Sequence, residues 1–254
     1  MRIKRNTPPK VSFAGKIKIG EKRISKNGKE YPASLDYFKM YCDQPEYIAA
    51  FNEVYGEKPS KLTILFPTDS ESNIVSRYEM RSTASGKLAG YGDGETFFIV
   101  NKDESGFFEL PYHSIIEKYQ TLENFFSKSA AHYKGIWKER LQLTFMLPEL
   151  KHIFAFWRLE TSAVASSIQQ IESSYDTIKA LAGTVRMIPF DLVVKKSKTD
   201  RVGAANSYSV ISLIPNLSAN NALKVREMID GGTLDNFRGL ITDNSINDIK
   251  LLGI

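Results

Sequence analysis

The residue types that most often carry catalysis or hold metals are few and scattered in this chain. The three histidines, His113, His132 and His152, share no motif and form no pair at helical ligand spacing. Cys42 is the single cysteine, so it cannot form an internal disulfide, and no histidine lies near it at metal-ligand spacing, which favours a structural role. The G-x-S-x-G elbow, the phosphate-binding loop and the dinucleotide fingerprint are missing. The residues therefore predict no catalytic site, no metal site and no cofactor, and they favour a binding protein over an enzyme.

A glycine-rich run, GYGDGE at 90–95, has two interpretations. Asp93 and Glu95 could supply oxygen ligands to a cation. The same Gly-Asp-Gly order is what a tight turn between strands requires. The turn is the favoured interpretation.

Two Arg/Glu pairs, Arg77 with Glu79 and Arg158 with Glu160, have the spacing that places both side chains on one face of a strand. Such charges could belong to an active site. The simpler hypothesis is a structural ion pair within or across the sheet. We favour the structural hypothesis.

Positive charge is concentrated in two places. Residues 1–32 contain ten lysines or arginines against Glu21 and Glu30, and a second cluster lies where a hairpin tip is expected. Clustered cations attract phosphate backbones by releasing condensed counterions, although a solvated arm would have the same composition. The residues predicted to contact nucleic acid are Lys16, Lys18, Lys22, Arg23, Lys26, Lys29, Lys195, Lys196, Lys198 and Arg201.

The chain contains an internal repeat. Residues 62–85 and 143–166 align without a gap at an offset of 81. The shared residues are Leu62, Thr63, Pro67, Arg77, Glu79, Ala84 and Ser85, which recur as Leu143, Thr144, Pro148, Arg158, Glu160, Ala165 and Ser166. The repeat predicts two copies of one structural unit rather than a solenoid, which needs three or more short units.

Hydrophobic periodicity and turn residues place elements around this repeat. Strands are predicted at 11–19, 35–41, 62–66, 74–80, 96–100, 107–110, 141–147, 153–160, 185–194 and 207–214. A helix is expected after Asp43, with Pro45 near its start and Gly56 at its end. Another begins near Thr161 or Ser162 and ends at Gly183. Its predicted core face is Val164, Ile168, Ile171, Tyr175, Ile178 and Leu181. Shorter helices are expected within 121–133, at about 220–229 and, more weakly, at 234–240.

These elements predict an α+β protein of two pseudo-repeated β-rich subdomains. Each subdomain is expected to be a mainly antiparallel sheet with one packed helix, and a helical tail follows the second. The predicted boundaries are 1–110 for the first subdomain with its basic arm, 111–139 for a connector, and 140–254 for the second subdomain with the tail.

Composition excludes several classes of protein. With 42% hydrophobic and 25% charged residues and no apolar run near the roughly 20 residues that span a bilayer, neither disorder nor a membrane protein is predicted. The basic start has no apolar stretch after it, so no secretory signal is expected. These features predict a cytoplasmic protein.

Several segments in a fixed order resemble the phage recombination directionality factor family. They are GKIKIGEK, NGKEYPASLDYFKM, VYGEKPSKLTILFP, RYEMRS, KLAGYGDGE, LQLTFMLPEL, FWRLETSAVAS and IPFDLVVKKSK. The resemblance runs from about residue 13 to 213. It implies a partner, because family members bind large serine integrases and switch them from integration toward excision in the bacterial host cell. Some related phage proteins have an unassigned role or one presumed to lie in DNA metabolism.

The chain departs from the family pattern at one place. Family members from actinophages have cysteines beside and just after the DG turn, as expected of a zinc site, whereas this chain has glycine and tyrosine around Asp93. Labels such as "hydrolase or metal-binding protein", attached to some relatives, therefore gain no support from these residues.

Two functions compete at this point. One is a non-enzymatic regulator that binds a serine integrase on DNA, with the basic arm adding phosphate contacts. The other is a replication or recombination accessory that binds DNA directly, as a single-strand binder or a ring-forming clamp. The basic segments contain few aromatic residues (Phe13, Tyr31), so they offer no obvious stacking platform. A metal-dependent nuclease ranks last because clustered carboxylates are missing. Homo-oligomerisation is left open.

Overall fold

The computed structural model describes residues 13–25, 27–101, 106–163, 167–198 and 207–231. Strands and helices alternate irregularly within these residues. The strands are β1 (Gly15–Ile24), β2 (Glu30–Cys42), β3 (Lys61–Leu65), β4 (Ile74–Ser82), β5 (Leu88–Gly92), β6 (Thr96–Val100), β7 (Phe107–Pro111), β8 (Gly135–Phe145), β9 (Trp157–Thr161), β10 (Pro189–Lys198) and β11 (Ser207–Pro215). The helices are α1 (Pro45–Tyr55), α2 (Tyr112–Tyr119), α3 (Leu122–Tyr133), α4 (Gln169–Ala182) and α5 (Ala219–Asp230).

The strands form two sheets. The larger sheet has the order β2-β1-β9-β8-β4-β5-β6-β7, and the smaller has the order β11-β10-β3. Hairpin partners such as β1 and β2, β5 and β6, or β10 and β11 run antiparallel, whereas β1 runs parallel to β9. The predicted α+β class, with mainly antiparallel sheets and a C-terminal helix, is confirmed.

Two compact units divide the chain, and both are discontinuous in sequence. The first draws on Met1–Asn73, Leu143–Leu159 and Gln170–Ile254, and the second on Ile74–Gln142 and Glu160–Gln169. The boundaries of these units differ from those of the expected subdomains, 1–110 and 140–254. The two subdomains were predicted from the sequence repeat, and they stay a prediction. The expected connector, 111–139, contains α2, α3 and the start of β8.

In the first unit, α4 packs on the small sheet. Tyr175 meets the ring of Phe66 edge-on at 5.2 Å between centroids, and Phe66 meets Phe190 of β10 at 5.4 Å. The predicted helix face is confirmed at four of its residues, Ile168, Ile171, Tyr175 and Ile178, which are buried. The prediction that Leu181 is buried is wrong, because this residue is exposed and Ala182 is buried instead. The last buried residue of the helix therefore lies four positions after Ile178, at Ala182, and not three positions after it, at Leu181. Val164 lies outside the described residues.

Helix α1 of the same unit follows its sequence signals closely. Pro45 occupies the first turn, where a missing N–H costs no hydrogen bond, and Gly56 ends the helix with a positive φ of 81°. Gln44, rather than the expected Asp43, is the N-cap residue, and its side chain makes no capping hydrogen bond. Phe51 is buried, and Tyr47 meets Trp157 of β9 edge-on.

In the second unit, α2 and α3 cover one face of the sheet. Ile115 of α2 and Phe125 of α3 are fully buried against Met80 and Phe97. Helix α2 and strand β5 were not predicted. The glycines of β5 suggested only a turn, but Gly90 makes room for Trp137, whose ring would lie 3.0 Å from an added Cβ.

The two copies of the repeat are joined through equivalent residues. Leu65 and Met146 are 81 positions apart, which is the offset of the repeat. The Leu65 N–H donates to the Met146 carbonyl at 3.0 Å, and the Met146 N–H donates to the Leu65 carbonyl at 2.9 Å. In each copy a loop and a second strand follow, although β9 begins at Trp157 rather than at the predicted residue 153. The loop of the second copy carries Phe154, whose side chain is 84% exposed.

The loop of the first copy is fixed by one carboxylate. Asp69 accepts hydrogen bonds from the Thr184 hydroxyl and the Val185 N–H, both at 2.7 Å, and from the Arg186 N–H at 3.2 Å. We expect Asp69→Ala to lower the free energy of unfolding by about 2 kcal/mol, because the buried Thr184 and Val185 groups lose a charged acceptor. Chemical denaturation measures this loss. Glu71→Ala in the same loop is the control, and an equal effect of the two variants would contradict the prediction.

Candidate nucleic-acid interface

The predicted basic residues lie on two hairpins of the first unit. The first hairpin joins β1 to β2 through the predicted turn at Asn27-Gly28, where Gly28 has a φ of 74° that suits glycine. Ser25 closes this turn by donating its N–H to the Lys29 carbonyl at 2.8 Å. The second hairpin joins β10 to β11, with Lys196 opposite Ser209 and Lys198 opposite Ser207. Lys22, Arg23 and Lys29 therefore lie near the turn of the first hairpin, and Lys196 and Lys198 lie near the outer end of the second. Lys16 and Lys18 lie at the other end of β1, opposite Tyr41 and Lys39.

The structure brings these two hairpins together, although about 170 residues separate them along the chain. The hydroxyl oxygens of Ser34 and Ser209 lie 2.7 Å apart. The Ser209 hydroxyl also donates to the Leu35 carbonyl at 2.6 Å. Lys196 pairs with Asp36 at 3.2 Å. We call the combined region the twin-hairpin surface, defined by Lys16, Lys18, Lys22, Arg23, Lys29, Lys195, Lys196 and Lys198.

Carboxylates offset part of the charge on this surface. Lys22 pairs with Glu30 at 2.8 Å, and Glu21 pairs with Arg23 at 2.8 Å and with Lys39 at 3.2 Å. The hydrogen bonds from Arg23 and Lys39 lower the pKa of the Glu21 carboxyl. Exposed ion pairs of this kind contribute little to stability. A lysine or arginine in such a pair can therefore leave its carboxylate and bind a phosphate at little cost in stability.

Four lysines keep charge that no described carboxylate offsets. Lys18 lies over the ring of Tyr41 at 4.3 Å. Within the part of the chain that the structure describes, no ion pair engages Lys18, Lys29, Lys195 or Lys198. Lys195 lies on the opposite face of β10 from Lys196 and Lys198, since side chains alternate along a strand. Lys26 and Arg201, the other two predicted residues, lie outside the described residues.

Exposed apolar side chains accompany the cations near the hairpin ends. Ile24 is 73% exposed, and Tyr31 and Tyr208 are also exposed. Tyr31 lies opposite Arg23, and Tyr208 lies opposite Ser197. Of these three residues, only Tyr31 was recognised from the sequence as an aromatic of the basic segments. Ile24 and Tyr208 could have been identified from the sequence, because each is an apolar residue at the outer end of a strand, where a side chain has no core to pack against.

The second unit contains a separate charged cluster around Glu79. The Glu79 side chain is 7% exposed, and its two oxygens receive hydrogen bonds from Arg77 at 2.7 Å and from Arg81 at 2.9 Å. The Arg140 Nε lies 3.2 Å from the same carboxylate. Burial by itself would raise the pKa of Glu79, but the hydrogen bonds and charges of Arg77 and Arg81 outweigh it and lower that pKa. The predicted structural pairing of Arg77 with Glu79 is confirmed. In the other copy, Arg158 lies 3.8 Å from the ring centre of Phe13.

The GYGDGE run forms the end of β5 and a turn, as its favoured interpretation predicts. The Asp93 carboxylate accepts hydrogen bonds from the N–H groups of Glu95 at 2.9 Å and Thr96 at 2.8 Å. These backbone bonds, with that of Thr96 the strongest cause, lower the pKa of Asp93. Gly94 has a φ of 105°, which explains why glycine follows the aspartate. Asp93 thus has a backbone role.

Two further kinds of feature are absent from the described residues. No group of three or more histidine, cysteine, aspartate or glutamate side chains in these ranges is placed to hold a metal ion. Among the helices that the structure describes, none is long and apolar enough to cross a bilayer.

The comparisons with known proteins give one family. The family model named Gp3-like, described as recombination directionality factor-like, matches residues 14–216. No curated protein and no solved structure has a significant match to the chain. The matched region begins just before β1 and ends just after β11, so it includes both hairpins and the whole second unit but not α5. The chain therefore belongs to the Gp3-like, recombination directionality factor-like family.

Proposed function

We propose that this protein is a non-enzymatic accessory of DNA recombination that binds a serine integrase on its DNA and biases it toward excision. Family membership supports the recombination role. The observation that carries the DNA component is the meeting of the two basic hairpins at Ser34 and Ser209. The site of action in this proposal is the cytoplasm of a bacterial host cell.

The chemistry required of such an accessory is binding with a preference. A protein shifts the balance between integration and excision only if it binds one integrase–DNA complex more tightly than the other. Contacts with phosphate carry no sequence information, but they add affinity once the integrase has selected the site. In this proposal the twin-hairpin surface supplies those contacts, and the integrase supplies the recognition of sequence.

The test is a recombination assay with purified integrase and duplex attachment sites. We expect the protein to raise the yield of the excision reaction and lower that of the integration reaction. A variant with Lys18, Lys29, Lys195 and Lys198 changed to glutamine should weaken both effects, most clearly at low salt. The matched control changes four exposed lysines elsewhere, Lys87, Lys118, Lys128 and Lys151, so that net charge falls equally.

Three results would contradict this proposal. They are no change in either reaction with a cognate integrase, the same shift with both four-lysine variants, or an equal shift in both directions. Light scattering of the integrase mixture gives an independent reading, because a stable complex has a larger mass than either protein.

A further inference from the structure

The sheet of the second unit has a second face, opposite the helices, that carries cations and aromatic rings. Side chains alternate along each strand, so the neighbours of the buried Met80 and Phe97 point away from α2 and α3. Strand register places Glu79 opposite Tyr91, Tyr91 opposite Phe98, and Phe98 opposite Glu109. We call this the open face, defined by Arg77, Glu79, Arg81, Tyr91, Phe98, Phe107, Glu109, Lys138 and Arg140.

The rings on the open face form a short column with a guanidinium group at one end. Arg77 lies 5.1 Å from the ring centre of Tyr91. Tyr91 stacks on Phe98 with centroids 4.9 Å apart and an angle of 17° between the rings. Phe107 meets Tyr91 edge-on at 5.3 Å and is 40% exposed. A planar group of a ligand could extend such a column.

The charge of the open face is positive. Four cations, Arg77, Arg81, Lys138 and Arg140, accompany two carboxylates, Glu79 and Glu109, on the alternating positions of these strands. The three arginine side chains stay 31% to 41% exposed even though all three contact Glu79. The one buried carboxylate therefore holds the guanidinium groups in place without neutralising them. Partly exposed positive charge beside the exposed ring of Phe107 and the half-buried rings of Tyr91 and Phe98 fits a ligand that combines anions with planar groups.

We propose that the open face binds single-stranded nucleic acid, with phosphates on the arginines and unpaired bases on Phe98 and Phe107. Base stacking on aromatic side chains combined with a positive surface is how single strands are bound without sequence preference. An antiparallel sheet with helices on one side and stacking aromatics on the other is a known arrangement for this purpose. A duplex is excluded as the main ligand, because its bases are stacked and paired and cannot lie on these rings.

This inference does not rest on the integrase proposal, since it concerns other residues and another ligand. Fluorescence anisotropy of a labelled deoxythymidine oligonucleotide, measured with the full-length protein alone, tests it. When Lys18, Lys29, Lys195 and Lys198 are changed to glutamine to remove the duplex site, we expect tighter binding to the single strand than to a duplex of equal length. We also expect a loss of affinity with an abasic strand, which retains the phosphates but offers no base to stack.

The variant that removes the rings is Phe98→Ala with Phe107→Ala. Each ring should account for about a fivefold or greater change in dissociation constant, so the double variant should bind at least about 20-fold more weakly. Phe107→Ala alone is the milder variant, because this exposed residue can be truncated with little effect on folding. Tyr112→Ala, an exposed aromatic of the same unit outside the open face, is the matched control.

Several outcomes would overturn this inference. They are equal affinity for the normal and the abasic strand, equal affinity of the four-lysine variant for single strand and duplex, or single-strand binding that the Phe107 and Phe98 changes leave intact while the four-lysine change of the twin-hairpin surface removes it. Loss of integrase binding by the ring variants, without any binding of a single strand by the normal protein, would make the open face a protein-docking surface instead. A failed integrase assay with intact single-strand binding would contradict only the function proposed above.

Discussion

Glu79→Ala is expected to lower the free energy of unfolding by about 3 kcal/mol. Three arginines surround this carboxylate at 2.7 to 3.2 Å, and removal of one partner of a largely buried ion pair leaves uncompensated charge. The loss stays at the lower end of the range for buried pairs, because the arginine side chains are partly exposed and regain water. Chemical denaturation followed by circular dichroism measures it.

Glu109→Ala is the control for this prediction, since Glu109 is an exposed carboxylate on the same face of the sheet. It should change the unfolding free energy by about 0.5 kcal/mol or less. If the two variants cost the same, the arginine cluster around Glu79 has no structural role and the prediction is wrong.

The stabilising effect of Glu79 should also depend on pH. The pKa of Glu79 is lower in the folded protein than its ordinary value of 4.5, so folding favours the ionised form. Its contribution is therefore complete above that ordinary pKa and disappears as pH falls through the lowered pKa. The difference in stability between the normal protein and Glu79→Gln should be full at neutral pH and shrink in acid. A difference that is constant across this range would show that the charge of Glu79 is not the cause.

Neutralising the four lysines of the twin-hairpin surface that make no ion pair with a described residue should have the second large effect. We expect Lys18, Lys29, Lys195 and Lys198, changed together to glutamine, to weaken duplex binding by the isolated protein on the order of 100-fold at low salt. If these lysines contact four phosphates, the normal protein should lose affinity by a similar factor, on the order of 100-fold, between about 50 and 200 mM salt. The logarithmic salt slope of the variant should then be smaller by roughly 3 to 4. Glutamine keeps most of the side-chain stem, so packing is preserved.

The four-lysine control at Lys87, Lys118, Lys128 and Lys151 separates a local interface from overall charge. It lowers net charge by the same amount at exposed sites outside the twin-hairpin surface. Equal affinity and equal salt slopes for the two variants would mean that DNA responds only to the total charge, and the interface would be wrongly placed.

Local signals in the sequence predicted much of the fold. Pro45 and Gly56 fix the ends of α1, and a spacing of three and four residues revealed the buried face of α4. Strand β5 and helix α2 were not predicted, because their local sequences indicate other structures. Strand β5 contains glycines that suggested only a turn, and the glycines are there because Trp137 packs against Gly90. Helix α2 follows directly from β7 without a polar capping residue, since Pro111 precedes it.

The candidate sites were less predictable because they depend on strand order. Arg77 and Glu79 are neighbours on one strand, so their pairing could be anticipated, whereas Arg140 reaches Glu79 from β8. The basic clusters could be identified separately, but their meeting depends on Ser34 and Ser209, which are 175 positions apart. Likewise, Tyr91, Phe98 and Phe107 lie on three successive strands, and no local pattern shows that their rings share a face.

The reciprocal bridge between Leu65 and Met146 has a consequence for the origin of the chain. A two-fold axis between identical subunits brings the same surface of each subunit into contact. Equivalent residues of the two subunits can then exchange hydrogen bonds with each other. This chain contains that self-complementary contact within a single polypeptide, as a fused homodimer would. The loops that follow these two residues differ, because the first is polar and held by Asp69, whereas the second presents Phe154 to solvent. A partner can therefore distinguish the two copies of the repeat by their loops.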